Sequence, residues 1–538
     1  MSVSELAPVY RLFSYSNLAA ILGLFAYPFL IEPNFGWRVQ MKIWCLFYSL
    51  YACFVLFLLF RVCNRQGGGV GGRSSGEAFL YWCLVPAVST SYLLAVSFSF
   101  SQNIPPTPLV WTIPLSLYLL SYSLAFAGWV RKAAKVVSLP LGLLFGGILF
   151  ASGTEAGGLS WGMFPLHCAL FFVGCLLLHG MLFDARPDGG GLPKFYVALG
   201  VGGLAGGCFS LLIVPRLFLG AEEIWFFHLV AVAVSIVALS TSYVERIRGW
   251  GGVVLSLSMA FLVFFFGVAE TNPGGEGLYK KVRNFHGAFL VQDNVGWTFQ
   301  RDLVHGGTAH GSQSLVVGEG AIPTSYYTRH SGVGAVGEWF EQRNKKVSIL
   351  CVGMGVGTVA SMAGRGDQIH FIDINEDIIK VAMEDFSYVK DAEARGAEVE
   401  ITQGDGRKSL EGIPDDSVDF FILDAFSGGG VPIHLLTEEA FREYNRVLRD
   451  EGSMAIHVSS RAIKLDGVVF SGMLSVGLHP VVLESDGGGI GTSSIWVVGS
   501  RDSRVAREIA DLHQGQVKQA GELVTWSDDF SSIYNLFK

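Results

Sequence analysis

The residues with the plainest chemical potential lie in the C-terminal half, in four short stretches. They are Gly353-Met354-Gly355-Val356-Gly357-Thr358, Asp373, Gly404-Asp405-Gly406-Arg407 and Asp424-Ala425-Phe426-Ser427. Each follows an apolar run that reads as a strand, over 347–352, 369–372, 399–402 and 418–423. In open α/β sheets, ligands sit at the carboxyl ends of the strands. Gly353, Gly355 and Gly357 would let the backbone approach a ligand closely and leave helix N-terminal amides free. An acid at the end of the second strand, here Asp373, is placed to accept from both hydroxyls of a ribose. Asp405, after the third strand, can accept from an adenine amino group, and Asp424 points into the same crevice. A glycine loop alone is weak evidence, and dinucleotide binding competes for the first two features. Any one of these carboxylates read singly could be a cap or turn residue. Acids at three successive strand tips together point to a nucleoside.

The elements that must position these residues follow from the periodicity. A helix over 376–394, a helix over 437–448 and strands near 454–458, 480–484 and 494–498 complete a doubly wound sheet beginning at Lys346. Residues 285–318 alternate apolar and polar with frequent glycine, as short antiparallel strands do. Asn272-Pro273-Gly274-Gly275 marks a break and a linker. His305 and His310 read first as structural hydrogen-bonding groups, and His434 as part of the turn leading into a helix capped by Thr437.

The first half has a different composition. Residues 1–269 carry 14 Lys and Arg against 9 Asp and Glu; the remainder carries 24 against 37. An acidic domain offers no electrostatic footprint for nucleic acid. About 20 apolar residues span a bilayer as a helix, and nine candidate spans are visible: 12–31, 41–60, 78–100, 108–129, 136–152, 161–183, 195–219, 223–244 and 251–269. Basic residues follow alternate spans (Arg61, Arg65 and Arg73; Arg131, Lys132 and Lys135; Arg186 and Lys194; Arg246 and Arg248), which places those loops in the cytoplasm. Lys280, Lys281 and Arg283 form a further cytoplasmic-type flank, so we expect eight crossings and a cytoplasmic C-terminal domain. No cleavable leader is evident, and the first apolar run reads as retained. Glycines 200, 202, 203, 206 and 207 predict close helix packing in lipid. Glu222 and Glu223 lie at a span boundary and support an ion pathway only weakly. Seven of the eight cysteines are in the apolar half, and no Cys/His cluster indicates a metal.

With these motifs in place, the chain resembles the spermidine synthase (polyamine aminopropyltransferase) family, specifically its membrane-fused branch. The resemblance covers about 285–500. It rests on the strand pattern, on Arg301-x-Leu303-x-His305-Gly306-x-Thr308-x-His310-Gly311-x-Gln313, on Pro323, Tyr326 and Tyr327, and on Asp424 to Ser427 followed by Pro432 and His434-Leu435-Leu436-Thr437-Glu438. The stretches around 93–120 and 195–207 are similar to the membrane part of that branch. The resemblance implies an α-helical polytopic membrane domain (1–270), a linker with a small antiparallel β subdomain (271–345), and a Rossmann-like catalytic domain of the class I methyltransferase and spermidine synthase type (346–538). It implies S-adenosylmethionine or its decarboxylated form as substrate, and no prosthetic group or metal. Asp424 would be the catalytic acid/base and Tyr326 would close the site. Gln313, Gly353, Gly355, Gly357, Asp373, Asp405, Gly406 and Ala425 would hold the nucleoside, while Tyr327, Ser427 and His310 would meet the transferred chain.

Two positions depart from the family pattern. An acid expected inside the glycine loop is Val356, and one expected three residues after the catalytic Asp is Ser427. Both remove negative charge where a polycation would bind, and a buried cation needs such a partner. Aminopropyl transfer to putrescine or another amine is therefore one reading. A lyase acting on S-adenosylmethionine through its own carboxylate, giving methylthioadenosine and homoserine lactone, is a second. A methyltransferase and a nucleotide-gated sensor or transporter complete the set. The partners expected are a small nucleoside, an amine and the lipid bilayer, with a homo-oligomer also open.

Overall fold

The computed structural model describes residues 3–63, 76–103, 108–127, 164–187, 191–220, 222–240, 277–295, 298–306, 308–426, 430–460, 463–488 and 491–537. The chain divides into two compact units, Met1–Gln102 with Thr107–Pro273, and Asn103–Pro106 with Gly274–Lys538.

The first unit is helical: α1 (Val3–Ala26), α2 (Trp37–Cys63), α3 (Gly76–Asn103), α4 (Pro108–Ala127), α5 (Phe164–Asp184), α6 (Leu192–Leu212) and α7 (Glu223–Ser240). Among the described residues, six segments are long and apolar enough to cross a membrane: Tyr10–Ile31, Trp37–Arg61, Glu77–Gln102, Leu109–Ala127, Phe164–Asp184 and Leu192–Leu217. The expected spans 136–152 and 251–269 lie outside the described residues. Pro86 and Pro114 sit inside α3 and α4, where each leaves the carbonyl four residues back without its helical N–H; Ser89 Oγ separately donates to Pro86 O at 3.2 Å. Of the five glycines of α6, Gly202 and Gly206 give the expected close packing, whereas a Cβ at Gly200 or Gly207 would meet nothing within 4 Å. A Cβ at Gly202 would lie 2.2 Å from Cys83 O, and one at Gly206 would lie 2.3 Å from Ala87 O. Helix α6 thus packs backbone to backbone on α3, and Ser91 Oγ donates to Gly206 O at 3.1 Å.

The second unit opens with an antiparallel meander of β1 (Leu278–Asn284), β2 (Gly287–Asn294), β3 (Gln300–His305) and β4 (Thr308–Ser314). After α8 (Gly332–Glu341) comes the large sheet. Its strands are β5 (Ser348–Val352), β6 (Gln368–Asp373), β7 (Glu398–Gln403), β8 (Val418–Leu423), β9 (Leu448–His457), β10 (His479–Ser485), β11 (Ser494–Ser500) and β12 (Gln516–Lys518), in the order β7-β6-β5-β8-β9-β11-β10-β12. Strands β5 to β9 run parallel, and β11 enters antiparallel to both β9 and β10. This is the Rossmann-like, class I methyltransferase arrangement, with the chain reversing direction across the sheet between β5 and β8. The central strands are buried on both faces and so read as continuous apolar runs, as in Ile349–Val352 and Phe420–Leu423. Helices α9 (Glu376–Asp385), α10 (Tyr388–Arg395), α11 (Glu438–Val447), α12 (Asp466–Ser475) and α13 (Ser503–Leu512) cover it.

The helix expected over 376–394 is interrupted. Phe386 is extended and buried, and the Ser387 N–H donates to Gln313 Oε1 at 3.0 Å instead of to a carbonyl one turn back. A side chain from the meander thereby splits one helix into α9 and α10.

Candidate active site

Three carboxylates at the tips of parallel strands face one cleft. Its lining includes Asp373 after β6, Asp405 after β7 and Asp424 after β8, with Gly353, Gly355, Gly406, Ala425, His310 and Tyr326. Gly353 and Gly355 have φ of +91° and +54°. A Cβ at Gly353 would lie 2.3 Å from Asp424 O, and one at Gly355 2.6 Å from His310 O. These positions need glycine because the loop after β5 is pressed between the β8 tip and the meander.

Asp373 accepts from the backbone N–H groups of Met354 (Oδ2, 2.8 Å) and Asn375 (Oδ1, 2.8 Å). Burial raises its pKa, and these two amides oppose the rise. Each oxygen retains a lone pair for a further donor. Asp405 sits at the mouth. Its Oδ1 accepts from the N–H groups of Arg407 (3.1 Å) and Lys408 (2.9 Å), and its Oδ2 lies 3.1 Å from His434 Nε2. Burial pushes this carboxyl up, but the Lys408 amide and His434 outweigh it and the net shift is downward.

Asp424 is the most enclosed of the three, with its side chain 4% exposed. Oδ1 accepts from His457 Nδ1 at 2.7 Å, and Oδ2 accepts from the Tyr327 hydroxyl. Burial would raise its pKa; His457, Tyr327 and His310 overcome that, and the carboxyl lies below its ordinary value. The Tyr327 phenol is correspondingly driven far up, by burial first and by Asp424 second. His457 Nε2 is 2.7 Å from Ser459 Oγ, which accepts from the Ile495 N–H at 2.8 Å. The imidazole is stacked between the rings of Tyr326 (4.4 Å, 20°) and Trp496 (4.7 Å, 22°). An ionised carboxylate is thus held in place from both sides in a nearly dry pocket.

The structure brings Asp373, Asp405, Asp424, Gly353, Gly355, Gly406, Ala425, Tyr326 and His310 to one cleft. Gly357, φ +81°, ends the loop against Val389. Gln313 is held elsewhere: its Nε2 donates to Gly320 O and Ser387 Oγ, both at 2.7 Å, and its Oε1 takes the Ser387 amide. Its side chain ties the meander to the α9–α10 break. Tyr327, expected beside the transferred chain, is spent on Asp424, while Tyr326 presents its ring to the cleft. Val356 is 1% exposed and packs on Gly311, whose Cβ would lie 2.6 Å from Val356 Cγ2. Ser427 lies outside the described residues. His310 is near His305, with ring centroids 5.6 Å apart, and its Nε2 is buried with no hydrogen-bond partner. His305, buried in the same wall, is pushed down to about 3 by desolvation and by His310.

The sequence reading did not single out His457, Ser459 or Trp496. The available signal was position: His457 ends an apolar parallel strand, as Asp424 follows one, and the strand-tip criterion applied to β9 would have found it.

Residues 350–456 match a family model described as a methyltransferase domain. No curated protein matches the chain in sequence. Among solved structures, the chain is similar to a probable spermidine synthase from Corynebacterium glutamicum (16% identity, 47% of this chain and 98% of that one, TM-score 0.32). It is also similar to a spermidine synthase in complex with the transition state analogue AdoDATO (14%, 47% and 82%, TM-score 0.34). A third is human methyltransferase-like protein 13 in complex with SAH (16%, 35% and 90%, TM-score 0.26).

Proposed function

We propose that this chain is a membrane-integrated enzyme that binds S-adenosylmethionine or its decarboxylated form and cleaves a sulfonium S–C bond to release methylthioadenosine, by aminopropyl transfer to an amine. The observation that carries this reading is the single cleft shared by Asp373, Asp405 and Asp424, with only Asp424 withdrawn from solvent and held ionised. Asp373 would take the ribose hydroxyls and Asp405 the adenine edge. The helical part to residue 270 would sit in the bilayer, with the β subdomain 271–345 and the catalytic domain 346–538 on the cytoplasmic side.

The sulfonium is already a good leaving group, so positioning and electrostatics are the enzyme's main contributions. The acceptor nitrogen forms a bond to the carbon beside sulfur, and the C–S pair returns to sulfur. The proton lost by the new ammonium goes to the Asp424 carboxylate, whose other contacts, Tyr327 and His457, keep it aimed at the cleft. Tyr326 would cover the reacting carbon.

One observation favours a second reading. The glycine-loop position where the family pattern expects an acid is Val356, buried in the core against Gly311. With no carboxylate there to grip a free aminopropyl amine, intact S-adenosylmethionine could react by attack of its own carboxylate, releasing homoserine lactone.

The test is product identification by mass after incubating the purified full chain with S-adenosylmethionine, and separately with the decarboxylated form plus putrescine. Methylthioadenosine that requires the amine supports transfer. Methylthioadenosine from S-adenosylmethionine alone selects the lyase. S-adenosylhomocysteine, or no product under either condition, overturns both.

A further inference from the structure

Five exposed apolar side chains of the second unit sit at one end of the meander, and the strand registers define that end. Leu278 at the start of β1 pairs with Gln292, Asn294 at the end of β2 pairs with Gln300 at the start of β3, and Gln300 pairs with Ser314 at the end of β4. The entry of the chain, the β2–β3 turn and the exit from β4 therefore lie together. Val295 and Phe299 in the turn are half exposed, Leu315 and Val316 after β4 are more than a third exposed, and Val317 is fully exposed. The Leu315 N–H donates to Phe299 O at 2.7 Å, which ties the turn to the exit loop. Segments 295–299 and 315–322 contain one charged residue, Glu319, whose carboxylate accepts from Ser314 Oγ at 3.3 Å.

The opposite end of the meander serves the cleft. His286, Phe289, Leu303, His305 and His310, the meander residues that line it, lie at or near the β1–β2 and β3–β4 turns. A partner covering the apolar end leaves those turns free.

Single exposed apolar residues are ordinary, whereas a group of them with almost no charge marks a surface that meets another apolar phase. Chain order says which phase. The expected span 251–269 is followed by only eight residues, 270–277, before β1, a tether of at most about 28 Å when fully extended. The tethered end of the sheet is thus the apolar end. We propose that this end of the meander rests in the headgroup layer of the bilayer, with Val317 leading. The inference depends on residues 1–270 being membrane-embedded, as in the proposed function. With no Lys or Arg in either segment, the contact is apolar and needs neither anionic lipid nor low salt.

The test places an environment-sensitive fluorescent amino acid, by codon suppression, at position 317, 285 or 50 of the full chain. Phe285 is the exposed tip of the β1–β2 turn at the other end of the meander, and Leu50 is in α2. Each protein is reconstituted in phosphatidylcholine nanodiscs with or without lipids carrying nitroxide quenchers on headgroup and acyl chain. The quenchers should lower emission at 50 and at 317 and leave 285 unchanged, equally at low and high salt. Quenching at 50 with none at 317 overturns the docking while the membrane reading stands; no quenching at 50 overturns both. Equal quenching at 285 and 317 overturns the assigned face, and quenching at 317 that vanishes in high salt overturns its apolar nature. Emission at 317 that follows the number of copies per disc instead of the quencher assigns the face to a second copy and overturns the docking. If the protein labelled at 317 fails to fold, Val316 takes the probe.

Discussion

Burial disfavours the charge on Asp424, and three neighbours, His457, Tyr327 and His310, favour it. Its depressed pKa makes it a carboxylate throughout the neutral range. The stability it adds is present above the ordinary carboxylate range and is lost as pH falls through its folded value. Asp424→Asn should lower methylthioadenosine release roughly 10²–10⁴-fold, the usual worth of a positioned acid–base group. Nucleoside affinity by calorimetry should be nearly unchanged, because Asp373 and the glycine loop are untouched. His457→Gln removes the largest influence opposing burial, so the Asp424 pKa rises. Wild-type activity should be flat on its acidic side down to about the ordinary carboxylate range, whereas the variant should show an acid limb moved to higher pH. A limb at the same pH in both proteins would count against the coupling. Tyr327→Phe removes a hydrogen bond to a charged group, a loss of about 1.5–3 kcal/mol, read as a lower melting temperature of the second unit.

At the scale of elements, most of the sheet was legible because period and length decide strands. The run ending at Val352 is apolar but for Ser348, those ending at Asp373 and Leu423 are largely so, the one ending at Gln403 alternates, and β5 to β8 begin and end within a residue or two of the expectation. The α9–α10 break was not legible, since Gln313 lies far away in sequence and local propensity says nothing of its amide. The withdrawal of Gln313 from the cleft has the same origin. The role of His457 required knowing that β9 adjoins β8, a pairing between distant segments. Two predictions belong here. Gly202→Ala should destabilise the helical unit, because the new Cβ would lie 2.2 Å from a backbone oxygen. Gly200→Ala meets nothing within 4 Å and should be neutral or stabilising by up to about 1 kcal/mol from helix propensity; detergent melting curves separate the two. In the meander, burial raises the Asp302 pKa from 3.8 to about 6, with Asp293 adding to the rise and Ser312 opposing it. A carboxyl raised on folding stabilises below its unfolded value, and that stability fades as pH climbs through about 6. Wild-type melting temperature should therefore fall between pH 4 and 7 by more than that of Asp302→Asn.

At the scale of the molecule, composition separates the two units as clearly as the fold does: few charges and long apolar helices before residue 270, an acidic α/β fold after it. Residues 274–538 expressed alone should stay in solution without detergent and bind an S-adenosylmethionine analogue as the full chain does; aggregation or lost binding would show that the helical unit is needed for the fold of the second. The hydrogen bonds and stacking around Asp424 also order events during synthesis. Tyr327, His457, Ser459, Ile495 and Trp496 converge on it from positions spread over some 170 residues, and the last of them are on β11. A ribosome must therefore translate through β11, long after Tyr327 has emerged, before the carboxylate acquires its full set of supports. Nascent and prematurely terminated chains that stop short of β11 lack the Trp496 wall and the Ile495 amide, so arrival of that strand completes the surroundings of Asp424.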